Sequence, residues 1–314
     1  MYREKIKVLD CTIRDGGLIN DHYFTDEFVR GIYEALSKSG IDYMELGYRN
    51  SKELFPTTDY GAWKYCDDKK IREITAGIES DLKLSIMVDA HRVKEQEFVP
   101  VDESPVDMIR VATYVKDIDK AIELINKCHD LGYETTANIM AISTEIEFDL
   151  VEALKQLAET AVDVVYVVDS FGALYCEQIE YLVKLYQKHL PGKEVGVHCH
   201  NNQQLAYANT IEGIIHDANY VDGSLYGIGR GAGNCPLELL VGFLKNPKFK
   251  LTHILKAIQD YMLPLRDEIE WGYMIPYVIT SILNEHPRSA IAMRKTEDKD
   301  KYAEFYEEMR EGVG

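Results

Sequence analysis

The sequence predicts a closed (β/α)8 TIM barrel, an α/β fold, followed by a C-terminal helical extension. Eight short β-rich runs recur along the chain, the segments between them place apolar residues at helical spacing, and the strand signal stops after about residue 245. A strand–helix–strand repeat of about 25 to 35 residues means βαβ units and a parallel sheet. Eight such units fit a closed barrel better than an open, doubly wound sheet.

The runs are IKVLD (6–10), YMELG (43–47), LSIMVD (84–89), MIRVAT (108–113), ETTANIM (134–140), VVYVVDS (164–170), EVGVHCH (194–200) and YVDGSL (220–225). Between them lie helical stretches such as DEFVRGIYEALSKSG and CEQIEYLVKLYQKHLPG. In IDKAIELINKCHDLG, residues Ile118, Ala121, Ile122, Ile125 and Cys128 share one helical face. Gly40, Gly132 and Gly192 stand where helix C-caps belong. After Asn246 the segments HILKAIQDYMLPLRDEIEWGYMIPYVITSILNEHP and YAEFYEEMREG read as helix throughout. The expected division is therefore a catalytic barrel over 1–245 and a helical extension over 246–314.

With 314 residues, 46% hydrophobic and 28% charged, the composition is that of a globular protein. Lys plus Arg number 35 against 53 Asp plus Glu, a formal net charge of -18. Such a chain repels nucleic-acid phosphates and anionic lipid surfaces, so neither is an expected partner. Six scattered cysteines with no CxxC pair read as reduced thiols of a cytoplasmic protein. No signal-peptide pattern or membrane-length apolar run is visible.

In this fold, functional groups come from the C-terminal ends of the strands. The first run ends in DCTIRDGG, which supplies Arg14 and Asp15. The sixth supplies Asp169 and Ser170, the seventh His198 and His200, and the eighth leads through DGSLYGIGRGAGN to Asn234. Histidines at i and i+2 on a strand point to the same side. They offer two neutral nitrogens to one divalent cation, and Asp15 from another strand completes a two-His-one-carboxylate set. An HxH pair alone can be two half-buried histidines; what favours metal is its company of strand-end ligands. Arg14 reads as a fixed donor fork for an oxyanion beside that metal, with Gly16 and Gly17 allowing a tight turn. GIGRGAGN has GxGxxA spacing at Gly227, Gly229 and Ala232. It follows the last strand instead of the first, so it is a loop across the mouth and not a dinucleotide site. Strands six to eight offer no lysine for a Schiff base, and Lys116 is the sole candidate elsewhere, so metal chemistry is preferred.

Taken in order, LDCTIRDGG, VDSFGA, VGVHCHNN and DGSLYGIGRGAGNCPLE resemble the DRE-TIM metallolyases (HMGL-like), and among these most resemble 4-hydroxy-2-oxovalerate aldolases. The resemblance runs from about Lys7 to Phe243. It implies a metal-dependent aldolase or carbon–carbon lyase acting on a 4-hydroxy-2-oxo acid through a pyruvate-type enolate. Asp15, His198, His200 and Asn234 are then metal ligands. Arg14 stabilises the enolate, Ser170 and Asn138 lie beside the substrate, and Tyr277, or less closely Tyr273, is the C-terminal tyrosine near the aldehyde oxygen. The implied ion is Mn2+, with Mg2+, Co2+ or Zn2+ as alternatives. A homodimer or higher homo-oligomer, and a dehydrogenase partner, are also implied. The family's acid/base histidine, three residues after the metal aspartate, is replaced here by Leu18, and the synthases' glutamate by Gly17. His22, with an ordinary imidazole pKa near 6.5, is the expected substitute, followed by Asp21. An acyl-CoA-dependent Claisen condensing enzyme and a catalytically silent metal-binding barrel remain the alternative readings.

Overall fold

The computed structural model describes residues 2–90 and 98–312. Eight parallel strands close on themselves in sequence order: β1 (Lys7–Asp10), β2 (Tyr43–Tyr48), β3 (Lys83–Asp89), β4 (Met108–Thr113), β5 (Glu134–Ile139), β6 (Val164–Asp169), β7 (Glu194–Cys199) and β8 (Tyr220–Gly223). Ring closure is the pairing of β1 with β8, from Lys7 opposite Tyr220 to Asp10 opposite Gly223. The fold is the TIM barrel that the sequence predicts.

Period-2 alternation sorts each strand into two faces. On β7, Val195, Val197 and Cys199 belong to the apolar layer under the helices, while Gly196, His198 and His200 take the opposite side. The helices are set by ordinary end signals. The Thr25 side chain accepts the Phe28 N–H at 3.2 Å, with Asp26 and Glu27 in the first turn, and this starts the helix Asp26–Ser39.

The barrel interior departs from the usual branched-aliphatic filling. Glu45, Arg110 and Asp222 are all fully or almost fully buried inside it. The Arg110 guanidinium lies 4.4 Å from the Tyr166 ring centroid. Buried ions of this kind persist only when paired, and these are.

The main core does not stop where the strand signal does. It takes in Ile254, Ala257, Ile258, Met262 and Trp271. A separate small core then forms from Tyr277, Ile279, Ala290, Met293 and Phe305, touching the barrel through Ala232.

Candidate active site

The predicted tight turn after β1 is instead a helical turn, Thr12–Gly16, running into a 3-10 turn, Gly17–Ile19. Both glycines are right-handed, with φ of -59°, so neither is needed for an unusual backbone. What requires Gly17 is proximity: a Cβ there would lie 2.2 Å from Nδ1 of His22. The helical turn points Arg14 and Asp15 inward, and both are buried.

His198 and His200 arrive from β7 with ring centroids 5.1 Å apart. His198 Nδ1 sits 2.9 Å from Asp222 Oδ2, and His200 Nδ1 sits 3.3 Å from the Gly233 carbonyl. Each contact holds a proton on Nδ1 and turns the Nε2 lone pair toward the cluster, where that of His200 also lies 3.5 Å from Arg230 Nη2. The two Nε2 atoms face Asp15 Oδ2 at 3.4 and 3.8 Å. The loop after β8 brings in Asn234, which forms an isolated antiparallel bridge with His200. Gly233 permits this: its φ is +92°, and a Cβ would lie 1.8 Å from the Gly227 carbonyl oxygen.

Asp15 Oδ2, His198 Nε2 and Asn234 Oδ1 are among the buried atoms here without a hydrogen bond, Asp15 Oδ2 having only its ion pair with Arg14 at 3.2 Å. Burying such groups unmet is costly. One cation would meet Asp15, His198 and His200 together, since the ligand atoms of these three lie within 4.8 Å of one another. A carboxylate and two imidazoles suit a borderline divalent ion, so the residues present fit a metal.

The electrostatics favour the ligand forms of Asp15 and His200. Burial works against the Asp15 charge, but Arg14 and the two imidazoles hold its carboxyl well below the usual range. Burial chiefly, with Arg230 adding to it, keeps His200 well below an ordinary imidazole and therefore neutral. His198 is opposed by burial yet raised overall by its contacts with Asp15 and Asp222. Beneath the ligands runs a chain of ion pairs. Arg14 Nε donates to Glu45 Oε2 at 2.7 Å, Arg110 donates to the same oxygen at 2.9 Å, and Arg110 also donates to Asp222 Oδ2 at 2.6 Å. Asp222 in turn holds His198, so the arginine fork and the imidazole are oriented by one buried network.

A cavity of about 50 Å3 opens on this cluster, lined by Arg14, Tyr48, Asn138, Ser170, His198, His200 and Arg230 among others. Arg14, Ser170 and Asn138 are thus brought together as expected. Asn138 Oδ1 accepts from Thr136 at 2.6 Å, and Ser170 Oγ accepts the Ala141 N–H at 2.9 Å.

His22 and Tyr277 are not on that lining. His22 is 1% exposed and packs edge-on against Tyr48 at 5.5 Å. Burial first, then Lys64 and Arg14, push its pKa down to about 3. The expectation of an ordinary imidazole is corrected accordingly: enclosure by the loop and two nearby cations disfavours the charged form. Asp21 is exposed. Tyr277 lies in the C-terminal core and accepts a hydrogen bond from Arg294 at 2.8 Å, and Tyr273 is 62% exposed.

Sequence reasoning passed over Glu45, Arg110, Asp222, Tyr48 and Arg230. For the first three a signal existed. An ionisable residue inside an apolar strand of a parallel sheet has nowhere to go but the barrel interior, where it needs a partner.

A closed eight-stranded barrel, with two histidines, an aspartate and a buried arginine at its C-terminal mouth, defines the DRE-TIM class of lyases. The sequence profile of the HMGL-like family matches residues 5–261, and the chain belongs to that family. It is 30% identical over 279 residues to a 4-hydroxy-2-oxovalerate aldolase of Thermomicrobium roseum, covering 85% of this chain and 78% of the relative. To the 4-hydroxy-2-oxovalerate aldolase of Bacillus cereus it is 28% identical over 282 residues, covering 86% and 80%. The solved N-terminal domain of a candidate aldolase from Bacteroides vulgatus superposes with a TM-score of 0.79 at 28% identity, covering 95% of this chain and all of that one. The protein is accordingly an enzyme, a lyase of this family. Among the described residues, no helix is long and apolar enough to cross a membrane.

Proposed function

We propose that the protein is a divalent-metal-dependent aldolase that cleaves or forms the C3–C4 bond of a 4-hydroxy-2-oxo acid. The observation that carries this reading is the buried cluster of Asp15, His198 and His200, whose ligand atoms lie within 4.8 Å of one another next to Arg14, with both histidines on the cavity wall. A divalent ion, Mn2+ first and Mg2+, Co2+ or Zn2+ otherwise, supplies Lewis-acid polarisation of the 2-oxo group when bound. Asp15, His198 and His200 hold it, with Asn234 as a further ligand.

The remaining work belongs to side chains. Arg14 is pinned by Glu45 and Asp15 at 2.7 and 3.2 Å. That fixed fork stabilises the negative charge on the enolate oxygen as the C3–C4 bond breaks. Ser170 and Asn138 orient the 2-oxo acid. Tyr48 takes the place His22 leaves open. Burial chiefly raises its pKa, and the charges it feels are those of Arg14, Asp15, Glu45 and Arg230. A phenol held protonated is a donor. In the condensing direction Tyr48 gives its proton to the new C4 alkoxide oxygen and is left as the tyrosinate; cleavage is the reverse step, in which that tyrosinate takes the C4 hydroxyl proton as the C3–C4 bond breaks. A cytoplasmic location, a homo-oligomeric state and a dehydrogenase partner belong to the same reading, and they rest on the reduced-cysteine pattern and the aldolase resemblance.

The test is pyruvate C3 proton exchange with and without Mn2+, run beside cleavage of 4-hydroxy-2-oxopentanoate and turnover of acetyl-CoA. Metal-dependent exchange together with cleavage supports the aldolase. Acetyl-CoA turnover without cleavage would transfer the site to Claisen chemistry, and no exchange at all would leave a silent metal-binding barrel.

A further inference from the structure

Two guanidinium groups line the same small cavity, and their surroundings differ. Arg14 is neutralised by Glu45 and Asp15. Among the described residues, no carboxylate pairs with the Arg230 side chain. Its Nη2 donates to the Ser170 carbonyl at 2.7 Å and lies 3.5 Å from His200 Nε2. Its Nε is buried without a partner. Its own backbone N–H holds Asp15 Oδ1 at 3.2 Å. The following turn is fixed by Asn202, whose Oδ1 accepts the Ala232 N–H at 2.9 Å and whose Nδ2 donates to the Phe171 carbonyl, also at 2.9 Å. The group is therefore held in place, next to the atoms that would bind metal, with donors unspent.

We propose that Arg230 selects substrates bearing a second carboxylate on the acceptor side of the scissile bond, so that the acceptor is a small aldehyde or 2-oxo compound carrying its own carboxylate. This deepens the aldolase reading and rests on it. The charges at the cavity show why. Arg14 and Arg110 together cancel Glu45 and Asp222, and Asp15 offsets one of the two charges of a divalent ion. One metal charge and Arg230 are left over. A 2-oxo acid with a neutral acceptor half answers only one of them, and a dianion answers both. Arg230 is half-buried, and a partly desolvated cation without a counter-ion gains from meeting a carboxylate, a guanidinium–carboxylate fork being among the stronger polar contacts available. The cavity, about 50 Å3 with Leu18, Met87, Met140 and Val168 on its other walls, favours a short acceptor.

The experiment titrates the Mn2+-loaded full chain calorimetrically with 2-oxoglutarate and with 2-oxopentanoate. The two share chain length and the 2-oxo acid end, and differ in a terminal carboxylate against a methyl. Wild type should bind 2-oxoglutarate ~10- to 100-fold more tightly, the range expected for a hydrogen bond between charged groups. Arg230→Met should bring the two affinities together by weakening 2-oxoglutarate, and Arg230→Lys should keep part of the difference. Equal affinities in wild type, or a ratio that survives in Arg230→Met, would overturn the proposal. Cleavage of 4-hydroxy-2-oxoglutarate and 4-hydroxy-2-oxopentanoate is measured in parallel. Cleavage without discrimination in binding or rate overturns the role of Arg230 and leaves the aldolase standing. Discrimination in binding with neither compound cleaved does the reverse.

Discussion

The two ends of the barrel present opposite kinds of polar surface. At the N-terminal end an open cleft of about 800 Å3 is lined by Lys7, Asp42, Tyr43, Lys83, Glu134, Tyr220 and Lys248, among others. The charges just named are spent on one another. Glu134 accepts from Tyr43 at 2.8 Å and from Tyr220 at 3.0 Å and pairs with Lys83 at 3.2 Å, while Asp42 pairs with Lys248 at 2.7 Å. At the C-terminal end the cavity is only about 50 Å3, yet buried donors and acceptors are left without partners there. Size points to the wrong end. Chemistry points to the right one: a carboxylate and two imidazoles with ligand atoms within 4.8 Å of one another are grouped there, where a ligand would complete them. In barrels of this architecture the N-terminal face serves stability and the C-terminal face serves chemistry.

Substitutions at the two ends should separate these roles. The largest effect is expected for Asp15→Ala and His200→Ala, each of which removes one of the three proposed strong ligands. Both should lose bound divalent metal by elemental analysis and lose turnover with it. Arg14→Lys should keep the metal but lose about 10²- to 10³-fold in rate, the usual cost of a missing pre-organised oxyanion donor. Near-normal turnover would make Arg14 a structural ion pair.

His22 sharpens the comparison from a third position, since it is buried beside the mouth without lining it. Its folded pKa of about 3 lies below the unfolded value of 6.5. The unfolded chain therefore takes up a proton that the native protein refuses. The stabilising contribution is full above pH 6.5 and is lost as pH falls toward 3. At pH 5 the loss is on the order of 2 kcal/mol by the 1.36 kcal/mol per unit conversion. His22→Phe should lack this slope in urea unfolding between pH 7.5 and 5. Parallel curves would return His22 to solvent and to the acid/base role. At the other end of the barrel, Glu134→Ala should cost about 1 to 3 kcal/mol of stability and leave turnover of the folded enzyme unchanged.

How much of this the sequence disclosed depends on the range of the signal. The eight strands and the grouping of Asp15, His198 and His200 were legible because strand periodicity and position at a strand's end are local properties. The Glu45–Arg110–Asp222 chain was half legible: the charges stand out in apolar strands, but which of them pair depends on the closed register of β1 with β8. His22 was misread because its enclosure comes from residues distant in sequence, Tyr48 from β2 and Lys64 from the loop beyond it. Nothing local marks that. Arg230 resembles any exposed loop arginine until Ser170 and His200 are brought to it.

The most direct test of the account is a crystal of the full chain soaked in Mn2+ and oxalate, with data collected at the manganese absorption edge. One strong anomalous peak within bonding distance of Asp15, His198 and His200 is the predicted result. A protein that binds no metal there would contradict it. So would a peak confined to the partly exposed Glu180–Glu212–His216 cluster, the other set of metal-capable side chains among the described residues.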